Sequence, residues 1–525
     1  MSNTLAWLLG GLSLVVAIAS PVKASEDTIS DRGVNVRILH EAPYNLIGRK
    51  IGLGQVEVGR PGTFGLDKKA FSSHSLSLAG AFHRDRPARA DTHVDAHAAM
   101  VAMVMISSDK QVPGVAPGAR LYSSAVGSLR NAGQPEECLA SQHVALQNSG
   151  DVRAINFSFG ESLQRDPRSN AVLDGNALLT LCVDWSARVH DVLYVIAGNQ
   201  GQGGIPIPTD NYNGVNIAAS TVRNGVFDKL DFSNISALPE GIGRNLILRE
   251  INTDGRRSIN LVAPGSHVVV RDLEGEVEEV RGTSFAAPHV AGAVGVLQEF
   301  GDRQLADAAP NWSIDSRRSE VMKAVLLNSA NKVRDSALEV DRTFFNKNNQ
   351  TWLEGDAYQN PDIPLDIQIG AGHLNVYRAY QQFSGGQYSP DTSVVSRGWD
   401  YNTVEEGSYR DYAIASPLQG GNFAAITLTW HRQVELNDEN GNNLFDVGED
   451  FLDLGLNDLD LYLMPAESDN LTSAICSSSS RVDSSEHIFC PVPTTGRYKI
   501  RVVYRQQIND PLQTYGLAWW MIPAQ

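Results

Sequence analysis

The feature that most constrains this chain is a change of hydrophobic period near residue 384. From Ile47 to about Phe383, short apolar runs alternate with helix-like stretches, the pattern of strands laid side by side with helices packed on their faces. Ile51 to Val58, Ala154 to Phe159, Val192 to Ala197 and Val215 to Ser220 read as buried strands; His97 to Ile106, Gly175 to Ala187, Ser284 to Phe300 and Ser319 to Ser329 read as helices. This predicts an α/β domain over 45–383 built on a mainly parallel sheet. Ser384-Gly385-Gly386 and Ser389-Pro390-Asp391 then mark a linker over 384–394. Beyond it, Asp458 to Leu463 and Arg497 to Val502 alternate polar and apolar residues, as half-buried antiparallel strands do. With Phe423 to Trp430 and Tyr515 to Met521, they predict an all-β sandwich over 395–525.

The 525 residues suffice for two cores. At the start, the apolar run Leu5 to Ala19 is followed by Val22-Lys23-Ala24, with small residues where signal peptidase cuts. Residues 1–24 are therefore expected to be a signal peptide and 25–44 a short extension. The run is shorter than the ~20 apolar residues that span a bilayer, and no later segment approaches that length. A secreted or periplasmic protein with no membrane span after signal removal follows. The cysteines Cys138, Cys182, Cys476 and Cys490 form an even set, suited to disulfides in an exported chain, with pairing expected inside each domain. A net charge of −17 without a basic patch argues against a nucleic-acid partner. Nothing in the sequence fixes the oligomeric state.

Three segments carry chemistry. In Gly282-Thr283-Ser284-Phe285-Ala286-Ala287-Pro288-His289-Val290-Ala291-Gly292, a Ser opens a helix of small residues, and Pro288 reads as an N-terminal marker tolerated in the first turn. The free N–H groups and positive dipole end there suit a developing oxyanion. Asp95-Ala96-His97-Ala98-Ala99-Met100-Val101-Ala102 offers an imidazole at a second helix start, and Val195-Ile196-Ala197-Gly198-Asn199-Gln200-Gly201 an Asn at a strand end.

The Ser284 string resembles the subtilase nucleophile signature almost letter for letter. The His97 segment is similar to the family's histidine motif, with Ala98, Ala99 and Met100 in place of its Gly, Thr and second His. Gly114 to Ala119, Ile155 to Gly160, Leu261 to Gly265, Phe232-Ser233-Asn234 and Gly370 to Asn375 also resemble subtilase elements, in family order. The resemblance covers roughly 45–383 and implies a subtilisin-like parallel sheet between helices. It implies a serine-type endopeptidase with Ser284 as nucleophile, His97 as general base, and Asn199 with the Ser284 N–H as oxyanion donors. It also implies protein or peptide substrates, pairing with Ser158, Phe159 and Gly160 as an added strand, and no cofactor for the chemistry.

The acid departs from the pattern. Gly48 to Gly59 follows the family strand that ends in Asp-Thr-Gly, yet Glu57 stands at the Asp position, giving a Ser-His-Glu triad in the order acid, base, nucleophile. The stretch between the expected cleavage site and that strand is too short for the usual folding-assisting propeptide. Two other readings follow from the residues: a catalytically silent subtilase homologue that binds peptides, motivated by Glu57 and the altered His97 motif, and a zinc hydrolase with His93 and His97 four apart on one helix face. In the second domain, Asp438, Asn440, Asn442, Leu444 (through its carbonyl), Asp446 and Glu449 fall at positions 1, 3, 5, 7, 9 and 12 of an EF-hand-type loop, a candidate for structural Ca²⁺. The Asp-Leu-Asp-Leu-Tyr-Leu run resembles the pre-peptidase C-terminal β-sandwiches appended to secreted proteases.

Overall fold

In the computed structural model, residues 28–68, 70, 76, 78–127, 133–198, 206–223, 226–231 and 250–524 are described. The expected signal peptide, Asn199 and Phe232-Ser233-Asn234 lie outside them.

Nine strands, β1 (Gly52–Glu57), β2 (Leu78–His83), β3 (Arg86–Pro87), β4 (Arg120–Ala125), β5 (Val152–Phe157), β6 (Leu193–Ala197), β7 (Val215–Arg223), β8 (Val226–Leu230) and β9 (Leu261–Pro264), join Phe344–Phe345 in one ten-stranded sheet. Its centre runs β2-β4-β1-β5-β6-β7, every neighbouring pair parallel, with β9 parallel beside β7; β3 and β8 attach antiparallel. Every residue of β1 and of β5 is buried, the polar Gln55, Glu57, Arg153 and Asn156 included, so neither strand has a solvent-facing row.

The period-2 pleat of β1 decides what each side chain meets. Gly54 and Val56 face the Gln134–Ala145 helix, where a Cβ on Gly54 would stand 2.5 Å from Val144. Leu53, Gln55 and Glu57 face the other way, and Gln55 Nε2 donates to the Ala98 carbonyl at 2.9 Å. That second face carries the Ala96–Ile106 and Thr283–Ala306 helices, whose Val101, Val104, Val290 and Val294 share one core with Leu53. Ile29, Val34, Val36, Leu39 and Leu46, within and just after the expected extension, are buried in the same core.

The C-terminal region contains a five-stranded sheet (Ser393–Val394, Tyr409–Ile414, Tyr498–Gln506, Asp458–Pro465 and Cys476–Ser478) over a four-stranded antiparallel one (Arg397–Glu405, Leu512–Trp520, Phe423–Thr429 and Ser485–Pro491). Leu459, Leu461 and Leu463 point into the shared core, as their alternation predicted. The outer face of the four-stranded sheet lies on the Ser319–Asn328 helix, so closely that a Cβ on Gly516 would stand 2.6 Å from the Glu320 backbone. The cysteines pair as Cys138–Cys182, which ties the Gln134–Ala145 helix to the Leu178–Val189 helix, and Cys476–Cys490.

Candidate active site

Ser284 is the second residue of the Thr283–Ala306 helix, entered through Gly282 at φ 139°, a backbone angle that only glycine adopts without strain. Thr283 Oγ1 donates to the Gly198 carbonyl at 2.8 Å, fixing the helix start against the end of β6. Pro288 lies inside this helix, at its sixth residue, not in the first turn as the sequence reading had it. It therefore does remove an intrahelical bond, the one its N–H would have made to the Ser284 carbonyl. Ser158 fills that gap, its Oγ donating to Ser284 O at 2.8 Å while accepting from Asn156 Nδ2 at 2.9 Å. Ser284 Oγ in turn donates to Ser158 O at 3.2 Å.

His97 is the second residue of the Ala96–Ile106 helix, capped by Asp95, whose carboxylate accepts the Ala98 N–H at 2.9 Å. The chain after β1 returns to this cap: Arg60 N–H donates to His93 O at 2.8 Å and Asp95 N–H to Arg60 O at 2.9 Å. Gly59 permits the approach, since a Cβ there would stand 2.2 Å from that of Asp95. Glu57, buried at the end of β1, places Oε2 3.5 Å from His97 Nδ1. Burial works to lower the His97 pKa, but the Glu57 charge and hydrogen bond, with a smaller push from Asp95, hold it above the ordinary imidazole value. The neighbouring carboxylates are engaged elsewhere. Asp67 pairs with Arg60, Asp91 accepts the Lys68 N–H, and Asp95 serves the helix cap.

The Phe285 ring meets the His97 ring edge-on with centroids 5.5 Å apart, so the Ser284 and His97 segments are neighbours. Ser284 and His97 are not hydrogen-bonded to each other, because the Ser284 hydroxyl points to Ser158. Beyond β5, the backbone N–H groups of Ser158, Phe159 and Gly160 make no hydrogen bond among the described residues, and Glu161 ends this open edge by pairing antiparallel with Ile207. Sequence reasoning missed the Asn156-Ser158-Ser284 exchange. The signal lay in Pro288, whose missing N–H implies a side-chain donor for the carbonyl four residues earlier.

The His93 reading meets different geometry. The helix begins at Ala96, so His93 and His97 do not share a helical face, and His93, at φ 57°, stacks on His83 with centroids 4.1 Å apart. In the C-terminal region, the Asp438 carboxylate accepts the N–H groups of Asn440, Gly441, Asn442 and Asn443, while Glu449 accepts those of Glu439 and Asp446. Asn440 and Asn442 turn their NH₂ groups to Asp446 Oδ2 at 2.7 and 2.8 Å, presenting donors where a cation needs oxygen. Among the described residues no three His, Cys, Asp or Glu side chains gather as a metal group. Asn443, at position 6 of that loop, adopts a left-handed backbone conformation at φ 60°. No helix of the described residues is long and apolar enough to cross a membrane.

Residues 40–350, more than half of the chain, match the Subtilase family, and the chain belongs to that family. It is 28% identical over 212 residues to a subtilisin of Bacillus sp. (strain TA39), covering 37% of this chain and 44% of that one. It is 26% identical over 338 residues to pyrolysin of Pyrococcus furiosus, covering 61% and 21%. The chain thus spans less than half the length of either relative. Among solved structures, a cold-adapted subtilisin-like serine proteinase aligns with a TM-score of 0.36 and 19% identity, covering 53% of this chain and 85% of that one. Structural calcium is common among subtilases.

Proposed function

We propose that this protein is an exported serine endopeptidase that hydrolyses peptide bonds through Ser284, His97 and Glu57. The observation that carries the reading is the Glu57 carboxylate facing His97 Nδ1 at 3.5 Å, from the sheet face that also holds the Ser284 helix. With Glu57 on Nδ1, the His97 proton is kept there and Nε2 is left as the base. His97 then takes the Ser284 proton as Oγ attacks the substrate carbonyl, and Glu57 stabilises the imidazolium that forms. The Ser284 N–H, at a helix N-terminus, and the Asn199 side chain donate to the oxyanion. His97 returns the proton to the leaving amine, and water repeats the sequence on the acyl-enzyme.

The resting hydrogen bond from Ser284 to Ser158 supports a linked role for substrate. An extended peptide pairing with Ser158 to Gly160 would donate a backbone N–H to the same Ser158 carbonyl. The displaced Ser284 hydroxyl would be left to turn toward His97, so strand addition and arming of the nucleophile would be one event.

Calcium at the Asp438 to Glu449 loop belongs to the proposal as a structural ion. Turning over the Asn440 and Asn442 amides would set two oxygens beside Asp446. The loop is already gripped by the α/β domain, since Phe445 N–H donates to Gln142 Oε1 at 2.6 Å and Gln142 Nε2 to Phe445 O at 3.1 Å.

A second reading, a catalytically silent peptide binder, draws on the absence of a Ser284–His97 hydrogen bond and on Glu57 Oε1, which is buried without a partner. Treatment of the protein and of Ser284→Ala with a fluorophosphonate probe separates the two. Labelling that depends on Ser284 is expected, and an unlabelled, folded protein would support the silent reading.

A further inference from the structure

The edge formed by Ser158 to Gly160 has a defined end. Glu161 N–H donates to Ile207 O at 2.8 Å and Ile207 N–H to Glu161 O at 3.1 Å, so whatever holds Ile207 holds the end of that edge. Ile207 belongs to a loop, residues 206–214, that leads into β7. A buried loop has no ladder of its own, and its backbone groups must find side-chain partners. Asn211 Nδ2 donates to Pro208 O at 2.8 Å, Asn216 Nδ2 to Thr209 O at 2.7 Å and Arg256 Nη2 to Asp210 O at 2.9 Å. Further along, the buried Asp184 carboxylate accepts the N–H groups of Tyr212 and Asn213, both at 2.9 Å.

The sandwich grips the same loop. Arg432 N–H donates to Asn213 Oδ1 at 2.8 Å and Asn213 Nδ2 returns a bond to Arg432 O at 3.0 Å. The Arg432 guanidinium, on a side chain only 3% exposed, bonds to both sides of the seam. Nη1 reaches Gly175 O at 2.7 Å and Asp184 Oδ2 at 3.3 Å in the α/β domain, and Nη2 reaches Asn176 Oδ1 at 2.9 Å. On its own side, Nε and Nη2 hold the two oxygens of Asp453 at 2.9 and 2.7 Å. Every N–H of the guanidinium therefore has an acceptor. Gly175 closes the circuit, its N–H donating to Asp210 Oδ2 at 2.8 Å, inside the loop.

We propose that Arg432 is a positioning residue for peptide binding. It fixes Gly175, Asp184 and Asn213, through them the 206–214 loop, and through Ile207 the end of the Ser158 to Gly160 edge. The sandwich is then part of the substrate-binding machinery rather than an appendage. This inference rests on the peptidase reading. Arg432 makes no hydrogen bond to Ser284, His97 or Glu57, so its loss should weaken the binding of peptides long enough to pair with the edge and spare the chemistry of small substrates.

The test is Arg432→Lys, which keeps a charge beside Asp184 and Asp453 but cannot span Gly175, Asn176 and Asp453 at once. KM for an octapeptide should rise about tenfold, the worth of roughly one hydrogen bond, with kcat nearly unchanged. KM for an N-acetyl amino acid ester, and the rate at which a fluorophosphonate labels Ser284, should stay as they were. Hydrogen exchange at the Glu161 and Ile207 N–H groups should quicken, as their mutual pairing opens more often. Thr429→Ala removes a different seam bond, from Thr429 Oγ1 to Glu320 O at 2.7 Å, and should leave all four readings in place. An unchanged octapeptide KM, or peptide hydrolysis and Ser284 labelling that fall together, would overturn the proposal, and so would unaltered exchange at the two amides. Should Arg432→Lys fail to fold, Asn213→Ala cuts the same link without stranding a charge and is held to the same outcomes. If the unaltered protein neither cleaves peptides nor takes the label, the peptidase reading has failed, and the exchange at Glu161 and Ile207 still decides whether Arg432 holds the edge.

Discussion

Glu57 and Asp67 lie ten residues apart, their side chains 2% and 0% exposed, and their surroundings treat them in opposite ways. Asp67 is saturated. Arg60 grips both its oxygens at 2.6 and 2.8 Å, and the N–H groups of Thr63 and Asp91 add two further bonds. Burial alone would raise its pKa, but Arg60 and those N–H groups hold it below the usual carboxylate value. Among the described residues the Glu57 carboxylate has one partner, the His97 imidazole, and its Oε1 has none. A carboxylate that only holds structure is best surrounded by fixed donors. One that must respond to a proton arriving on its neighbour is served by leaving that neighbour as its sole partner.

The comparison breaks most directly at Glu57. Glu57→Gln keeps the shape but removes the charge that, in the proposed mechanism, stabilises imidazolium, and kcat is expected to fall about 10³- to 10⁴-fold with little change in melting temperature. Asp67→Asn should do the reverse. Leaving Arg60 buried and unpaired costs about 3 to 5 kcal/mol, read as a lower denaturation midpoint, while kcat per folded molecule stays near its original value. A near-native Glu57→Gln together with collapse of kcat in Asp67→Asn would invert the assignment.

The pH profile sharpens the same contrast. In the proposed mechanism His97 must be neutral to accept the Ser284 proton, and Glu57 holds its pKa above 6.5, so the acid limb of kcat/KM should lie above that value. Removing the Glu57 charge lets the burial effect dominate, and in Glu57→Gln the limb should move to lower pH. A limb that stays in place in that variant would show that another group sets it.

Much of this arrangement was legible in the sequence, and the illegible parts have physical causes. Short, largely apolar runs revealed β1 and β5, and the alternation of Asp and Leu revealed Asp458–Pro465 as a strand, although Asp458, Asp460 and Met464 are buried there as well as the leucines, so the alternation does not mark a solvated face. Glu57 could be placed because it ends the strand just before Gly59, where the subtilase strand carries its Asp; that the pleat turns it with Leu53 and Gln55 toward the His97 helix is seen only in the fold. The helix Gln134–Ala145 went unread because its core-facing residues include Gln134, Glu137, Ser141 and Gln142, polar side chains buried against the Leu178–Val189 helix and the sandwich. The Asp438 to Glu449 loop shows the opposite limit. Its residue types and spacing suit a cation, but spacing does not say whether a carboxylate's lone pairs are already taken by backbone N–H groups.

That loop extends the comparison, since Asp438 and Glu449 are saturated as Asp67 is, but by N–H groups that a metal could displace. If calcium binds, free Ca²⁺ at 100 times its Kd should stabilise the full chain by about 2.7 kcal/mol. The gain should vanish in Asp438→Ala/Glu449→Ala. A melting temperature indifferent to Ca²⁺ and to chelator in both proteins would leave the loop as a turn held by its own hydrogen bonds.

The smallest expected effect concerns the Ser284 carbonyl, a group that its helix leaves without a partner and the fold then satisfies. Pro288 has no N–H for it, and Ser158 Oγ takes the role at 2.8 Å. Ser158→Ala should therefore cost about 1 kcal/mol of stability, the net worth of one intramolecular hydrogen bond. In a Pro288→Ala background the residue at 288 regains an N–H aimed at Ser284 O, so the same substitution should cost much less there. The double-mutant cycle isolates this coupling, because each variant removes or restores a donor to one oxygen. Strict additivity would mean that the Ser158 hydroxyl stabilises the fold through Asn156 alone. In that case the nucleophile's carbonyl would be as under-bonded as Glu57 Oε1, and the division between saturated structural groups and sparsely bonded reacting ones would extend into the backbone of Ser284 itself.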